Sequence, residues 1–206
     1  MRILYTASEA LPYAASGGLA DVAGSLPAAL CKAGHDCRVV LPLYKSIKPE
    51  LRKDLRFLMN FTVDVGWRKQ YCGVFEGHAN NVTYYLLDNE YYYARDGLYG
   101  FYDDCERFVF LSRAVMELIR HIDWKPQIIN CNDWQTALVP VYYQTYYKYQ
   151  HGYEDIKTVF TIHNIQYQGK YGMDVLNEVM GIPMYHANLL EYDGCINMMK
   201  GAFETD

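Results

Sequence analysis

Apolar residues run almost unbroken through Ile3-Leu4-Tyr5-Thr6-Ala7 and then recur at helical spacing, with Leu19, Val22, Ala23, Leu26 and Leu30 on one face. This predicts a buried strand over residues 2–7 and a helix over 19–33. Pro27 lies inside that helix and predicts a kink or a split, because it removes a donor and crowds the preceding turn. Gly34 follows as the expected C-terminal stop. A second buried strand, 37–43, closes at Pro42. The pattern then shortens. Residues 61–65, 71–75 and 82–87 read as antiparallel strands, with Gly66-Trp67 and Asn80-Asn81 as turns. A Tyr/Asp/Gly-rich loop covers 89–104. Helical spacing returns over 106–122, with Phe108, Leu111, Val115, Leu118 and Ile122 as the apolar stripe. Beyond Pro126 follow a strand at 127–131, a helix at 136–149 and a strand at 158–162.

Buried strands alternating with amphipathic helices imply an α/β fold, a doubly wound, mostly parallel sheet with helices on both faces and a small antiparallel insert. The 206 residues read as one domain, with no internal repeat and no linker. With 51% hydrophobic and 21% charged residues the chain has the make-up of a globular protein. A net charge of −5 argues against a nucleic acid or an anionic membrane as partner. No apolar run approaches the roughly 20 residues that span a bilayer. The six cysteines form no C-x-x-C pair and read as reduced thiols of a cytoplasmic protein. The 21 tyrosines suit sugar binding, but most suit packing equally well.

Ligands of such sheets gather at the carboxyl ends of the strands, and three polar clusters fall there: residues 9–18, 130–134 and 163–169. In the first, Gly17-Gly18 sits between a strand and a helix N-terminus. Bare backbone N–H groups and the positive end of the helix make an anion site suited to phosphate. The segment is neither G-x-G-x-x-G nor a P-loop, and a tight turn with glycines for packing accounts for the same residues. Asp133, three residues before Thr136, is placed to cap a helix. His163 has no partner at metal-binding spacing, and no serine sits in a nucleophile elbow.

Several longer stretches are more specific together than any of these alone. They are Ser8-Glu9-Ala10-Leu11-Pro12, Gly17-Gly18-Leu19-Ala20-Asp21-Val22, Asp96-Gly97-Leu98-Tyr99-Gly100, Glu106-Arg107-Phe108, Asn132-Asp133-Trp134-Gln135 and Phe160-Thr161-Ile162-His163-Asn164 running on to Gly169. In these the chain resembles the N-terminal half of bacterial glycogen synthases and plant starch synthases, retaining glucosyltransferases that use ADP-glucose. The resemblance implies the Rossmann-like N-terminal half, residues 1–206, of a two-domain (GT-B) enzyme. The C-terminal nucleotide-binding domain is then expected to be absent from this chain, and the fragment to be inactive alone. It also implies transfer of glucose from ADP-glucose to an α-1,4-glucan, with no cofactor and no metal. By the same resemblance His163 and Asp133 are the catalytic candidates. Ser16, Gly17, Gly18, Tyr99 and Asn164 would bind the donor, and Glu9 and Asp21 would lie toward the acceptor.

Two departures stand out. The family's Lys-Thr before the paired glycines is Ala15-Ser16 here, which removes a charge-assisted contact worth about 1.5–3 kcal/mol. Its His-x-His-Asp-Trp reads Asn130-Cys131-Asn132-Asp133-Trp134. A non-catalytic sugar- or glucan-binding domain derived from the family is the alternative reading.

Overall fold

A computed structural model describes all residues, 1–206. Ten strands are present: β1 (Arg2–Thr6), β2 (Asp36–Pro42), β3 (Arg56–Val65), β4 (Arg68–Ala79), β5 (Val82–Asp88), β6 (Ile128–Asn132), β7 (Lys157–Thr161), β8 (Lys170–Tyr171), β9 (Glu191–Tyr192) and β10 (Cys195–Asn197). The helices are α1 (Gly18–Lys32), α2 (Pro49–Arg52), α3 (Glu90–Tyr93), α4 (Asp104–His121), α5 (Leu138–Tyr142), α6 (Val175–Glu178), α7 (Ala187–Leu190) and α8 (Met198–Thr205).

The main sheet has the order β3-β4-β5-β2-β1-β6-β7. From β5 to β7 every neighbouring pair is parallel, and β4 runs antiparallel to both β3 and β5. The expected antiparallel excursion is therefore an extension of the main sheet, and its first strand begins five residues earlier than the alternation suggests. Chain order reverses at β1, with β2 on one side and β6 on the other. The carboxyl ends of β1 and β6 thus flank a topological switch point, where doubly wound sheets open a crevice.

Helix α1 ends as expected. Gly34 adopts φ +89°, its amide donates to Cys31 O (3.0 Å), and the His35 amide donates to Leu30 O (3.1 Å). This is a Schellman stop, in which a left-handed residue lets two late carbonyls find donors. Pro27 does not split α1: the helix continues through it, with the proline ring buried.

The expected 136–149 helix is not one regular helix. A 3₁₀ turn (Trp134–Thr136) leads into α5, which widens into a π-helical segment over Tyr143–Tyr147. A local bond accompanies the first break and tertiary bonds the second. The Thr136 hydroxyl donates back to Asn132 O (2.8 Å), and the wider turn lets Tyr147 donate to Glu117 (2.6 Å) and Tyr143 to Tyr153 O (3.2 Å). The 89–104 loop contains α3 and is pinned by Arg107. This guanidinium is wholly buried and donates to Tyr92 O, Leu98 O and Asp104. Beyond the polar cluster at 163–169 a small antiparallel sheet, β8-β10-β9, forms over residues for which the spacing predicts no element.

Candidate active site

A cavity of about 1020 Å³ opens at the switch point and collects all three polar clusters. Glu9, Ser16, Gly17 and Gly18 line it from the β1–α1 connection, Tyr99 from the pinned loop, Asp133 from the end of β6, and His163 and Asn164 from the end of β7. Asp21 does not join them. It lies in the exposed part of the first turn of α1, outside the cavity lining.

The glycine turn is held from within. Glu9 is only 3% exposed, and its Oε2 accepts from the Ser16 amide (2.7 Å) and the Ser16 hydroxyl (2.6 Å). The Ser16 N–H is thereby used internally, while the amides of Gly17, Gly18 and Leu19 find no acceptor in the chain. Neither glycine is demanded by strain or by packing. Gly17 is extended, a Cβ on it would lie 3.8 Å from Glu9 Oε1, and a Cβ on Gly18 would meet no atom within 4 Å. Both line the cavity, as does Leu19, and three amides without an acceptor at a helix N-terminus are the kind of group that binds phosphate.

Asp133 is not a helix cap. It holds φ +58° and ψ −179°, a region that side chains rarely occupy, and its carboxylate makes no capping bond. Oδ1 instead accepts the main-chain N–H of His163 (2.7 Å) and of Asn164 (3.2 Å), while the Asp133 amide donates to Thr161 O (3.0 Å). The twist that forfeits the cap turns the carboxylate across to the β7 loop. The register Asn132↔Thr161 brings the two strand ends level, so that one carboxylate spans both.

The His163 ring is anchored separately, by Nε2 against Asn132 Oδ1 (2.8 Å). Tyr5 also donates to this oxygen (3.0 Å), and its hydroxyl is pushed up to about 12 by burial, with smaller contributions from Cys37 and Asp133. Tyr99 bonds Ser8 Oγ (2.6 Å), and burial, then the Glu9 carboxylate, hold its phenol well above the ordinary value. Three participants lie in stretches the sequence reading singles out but carry no role in it. Asn132 is one, although its place two residues after Asn130 on a strand put both on one face. Gln135 is another: it lines the cavity with a buried Oε1 that has no partner. Trp134 is the third, packed on Phe108 and on Gly169, where φ is +68° and a Cβ would fall 2.8 Å from the indole.

A family described as the starch synthase catalytic domain matches residues 2–205. The chain belongs to that family. It is 51% identical over 205 residues to a glycogen synthase of Clostridium botulinum, an alignment covering 98% of this chain and 43% of the relative. It is 46% identical over 204 residues to a glycogen synthase of Geobacillus stearothermophilus, covering 98% and 42%. Among solved structures it is similar to the catalytic domain of starch synthase IV from Arabidopsis thaliana bound to ADP and acarbose. That match has a TM-score of 0.88 and 28% identity, and it covers 99% of this chain and 43% of the other. The chain thus spans less than half the length of the relatives it matches. Its fold is the mostly parallel Rossmann-like half of a GT-B starch synthase catalytic domain. No helix is long and apolar enough to cross a membrane.

Proposed function

We propose that this chain forms the N-terminal wall of a retaining glucosyltransferase site that moves glucose from ADP-glucose to the non-reducing end of an α-1,4-glucan in the cytoplasm. The observation that carries this reading is the trio of free amides at Gly17, Gly18 and Leu19, facing one cavity with Asp133 and His163. The naming of the relatives as glycogen synthases, and the ADP and acarbose bound to the plant neighbour, supply the substrate classes.

In this reading the amides take the diphosphate of the donor. Negative charge grows on its bridging oxygen as the glycosidic bond breaks, and fixed donors stabilise that charge without reorganising. The transferred glucose, cationic at its anomeric carbon, lies beside His163, and Asp133 keeps the His163-Asn164 backbone in register with the glycine turn. Glu9 and Ser16 act through the shape of that turn. No metal or cofactor is assigned. In residues 1–206 taken by themselves, a diphosphate at this wall would stay in water, where each contact is weaker and no contact from a facing wall orients it.

The test is glucan elongation from radiolabelled ADP-glucose. The 206-residue chain is assayed alone and fused to the C-terminal remainder of the C. botulinum relative. The expected result is negligible transfer by the chain alone and robust transfer by the fusion. Rapid transfer by the chain alone overturns the one-wall reading. Ala15, which puts no cation beside the glycines, favours the alternative of a non-catalytic glucan-binding domain. An inactive fusion that retains malto-oligosaccharide binding selects that alternative.

A further inference from the structure

We propose that Asn132 sets the tautomer of His163, so that the ring meets its ligand as a hydrogen-bond acceptor through Nδ1. The argument begins at two backbone carbonyls. The Asn132 side chain is wholly buried, and its Nδ2 lies 2.9 Å from Thr6 O. A carbonyl can only accept, so this end of the amide is the NH₂ and the other end is the oxygen. The second Nδ2 proton goes to Asn130 Oδ1 (2.9 Å). Asn130 is oriented in the same way, its Nδ2 facing Thr161 Oγ1 (3.0 Å) and Val159 O (3.4 Å). The amides of residues 130 and 132 thus form a chain across β6 whose sense is dictated by the carbonyls of Thr6 and Val159.

The consequence falls on His163. Its Nε2 is 2.8 Å from Asn132 Oδ1, an atom that can only accept, so Nε2 must carry the proton. In the neutral ring Nδ1 then holds the lone pair. No group of the chain bonds Nδ1, and the residue lines the cavity. The Asp133 carboxylate makes no bond to the ring; its Oδ1 accepts instead from the main-chain amides of His163 and Asn164.

A lone pair left without a partner on a cavity-lining ring takes a ligand that donates. This inference rests on the proposed function for the identity of that ligand: a hydroxyl of the transferred sugar, which donates to Nδ1 and is bound in one orientation. The site then discriminates against a sugar in which that hydroxyl is replaced by hydrogen or by fluorine, since neither can donate. Asn132 is in this account a positioning residue that acts through His163.

The experiment reads the ring directly. In the ¹⁵N-labelled 206-residue chain, two-bond ¹H–¹⁵N correlations of the histidine side chains distinguish a protonated Nε2 from a protonated Nδ1. The expected result is a single His163 tautomer with the proton on Nε2, kept in Tyr5→Phe, where the two anchors of Nδ2 remain. Asn132→Ser, which removes the acceptor and the anchored amide, should give a mixture of tautomers. In the active fusion it should lower kcat about tenfold with a smaller change in KM. A wild-type ring protonated on Nδ1, an even mixture in the wild type, or an Asn132→Ser ring still wholly protonated on Nε2 overturns the proposal. If Asn132→Ser does not fold, the wild-type and Tyr5→Phe spectra still decide the tautomer. The spectra require neither ADP-glucose nor transfer. An inactive fusion therefore counts against the proposed function, whereas a wrong tautomer counts against this inference.

Discussion

Asp133 Oδ1 lies 2.7 Å from the His163 main-chain nitrogen, the shortest of the bonds that join the end of β6 to the end of β7 at the cavity. It is bought with backbone strain, since Asp133 holds φ +58° and ψ −179°. Strain of this kind costs on the order of 1–3 kcal/mol and persists where the surroundings over-determine it. Here the over-determination is visible: the carboxylate binds two amides of the next loop while its own amide is held by Thr161 O.

Two substitutions separate the strain from the clamp. Asp133→Ala loses the hydrogen bonds of a charged acceptor and keeps the strained backbone. It should be destabilised by about 2–3 kcal/mol. Asp133→Gly loses the same bonds but occupies that backbone region freely, and should recover about 1 kcal/mol of the loss. Denaturant melts of the two variants check the order. An alanine variant as stable as the glycine variant would show that the backbone is unstrained.

A substitution at Gly18 separates fold from ligand. Its backbone is not left-handed, and a Cβ there meets no atom within 4 Å. Gly18→Ala should therefore stay within about 0.5 kcal/mol of wild-type stability. In the active fusion the added methyl group stands where the diphosphate would approach the free amides, and affinity for ADP should fall about tenfold or more. Calorimetric titration with ADP is the measurement. Unchanged affinity would move the phosphate away from this turn.

The parts of the fold that were legible share a cause. The strand β1, the helix α1 and its stop at Gly34 follow from local apolar spacing and one left-handed residue. The meeting of residues 9–18, 133 and 163 follows from the rule that loops at the carboxyl ends of parallel strands converge. Long-range partners decide what was not legible. Arg107 sits on a helix whose periodicity is plain, yet nothing local indicates that Tyr92 O, Leu98 O and Asp104 will let its charge be buried. Asp133 has the spacing of a helix cap, and only the neighbouring strand explains why its carboxylate turns elsewhere. The π-helical stretch at Tyr143–Tyr147 depends on Glu117 and Tyr153 in the same way. Roles taken by resemblance divide similarly: Glu9 reaches the cavity but spends an oxygen on Ser16, and Asp21 stays outside.

Far from the cavity, Asp36 gives a dependence on pH whose direction can be worked out. Burial pushes its carboxyl up, but the hydrogen bonds from Arg38 and Trp124, with the charges of Arg38 and Arg2, outweigh this and hold it below the ordinary value of 3.8. A carboxylate depressed in the folded state stabilises the fold above its unfolded value, and the contribution is lost as pH falls through the folded value. Asp36→Asn should therefore be less stable than wild type at neutral pH. The side chain is about half exposed, so the difference should be at most about 1 kcal/mol. The gap should close as pH drops below about 4. Thermal melts of both proteins from pH 7 to pH 3 test this, and a gap that widens toward acid would contradict the assignment.

Ala15 offers the opposite experiment, a gain. It is exposed and immediately precedes Ser16, the residue that Glu9 ties down, and no cation stands at this position beside the free amides of Gly17, Gly18 and Leu19. Ala15→Lys introduces the cation that the resemblance leads one to expect there, at an exposed position, so stability should hardly change. An ammonium near a diphosphate should tighten ADP binding by up to about tenfold at low salt, the scale of a charge-assisted bond discounted for exposure. The gain must shrink as ionic strength rises, since the screening length falls to about 8 Å at 0.15 M and about 3 Å at 1 M. Titrating ADP into the wild-type and Ala15→Lys fusions at two salt concentrations separates the cases. A gain that disappears with salt places the diphosphate next to residue 15. A gain indifferent to salt would mean that the lysine acts through the shape of the turn, and no gain at either salt would leave the phosphate bound by amides too distant for this side chain to reach.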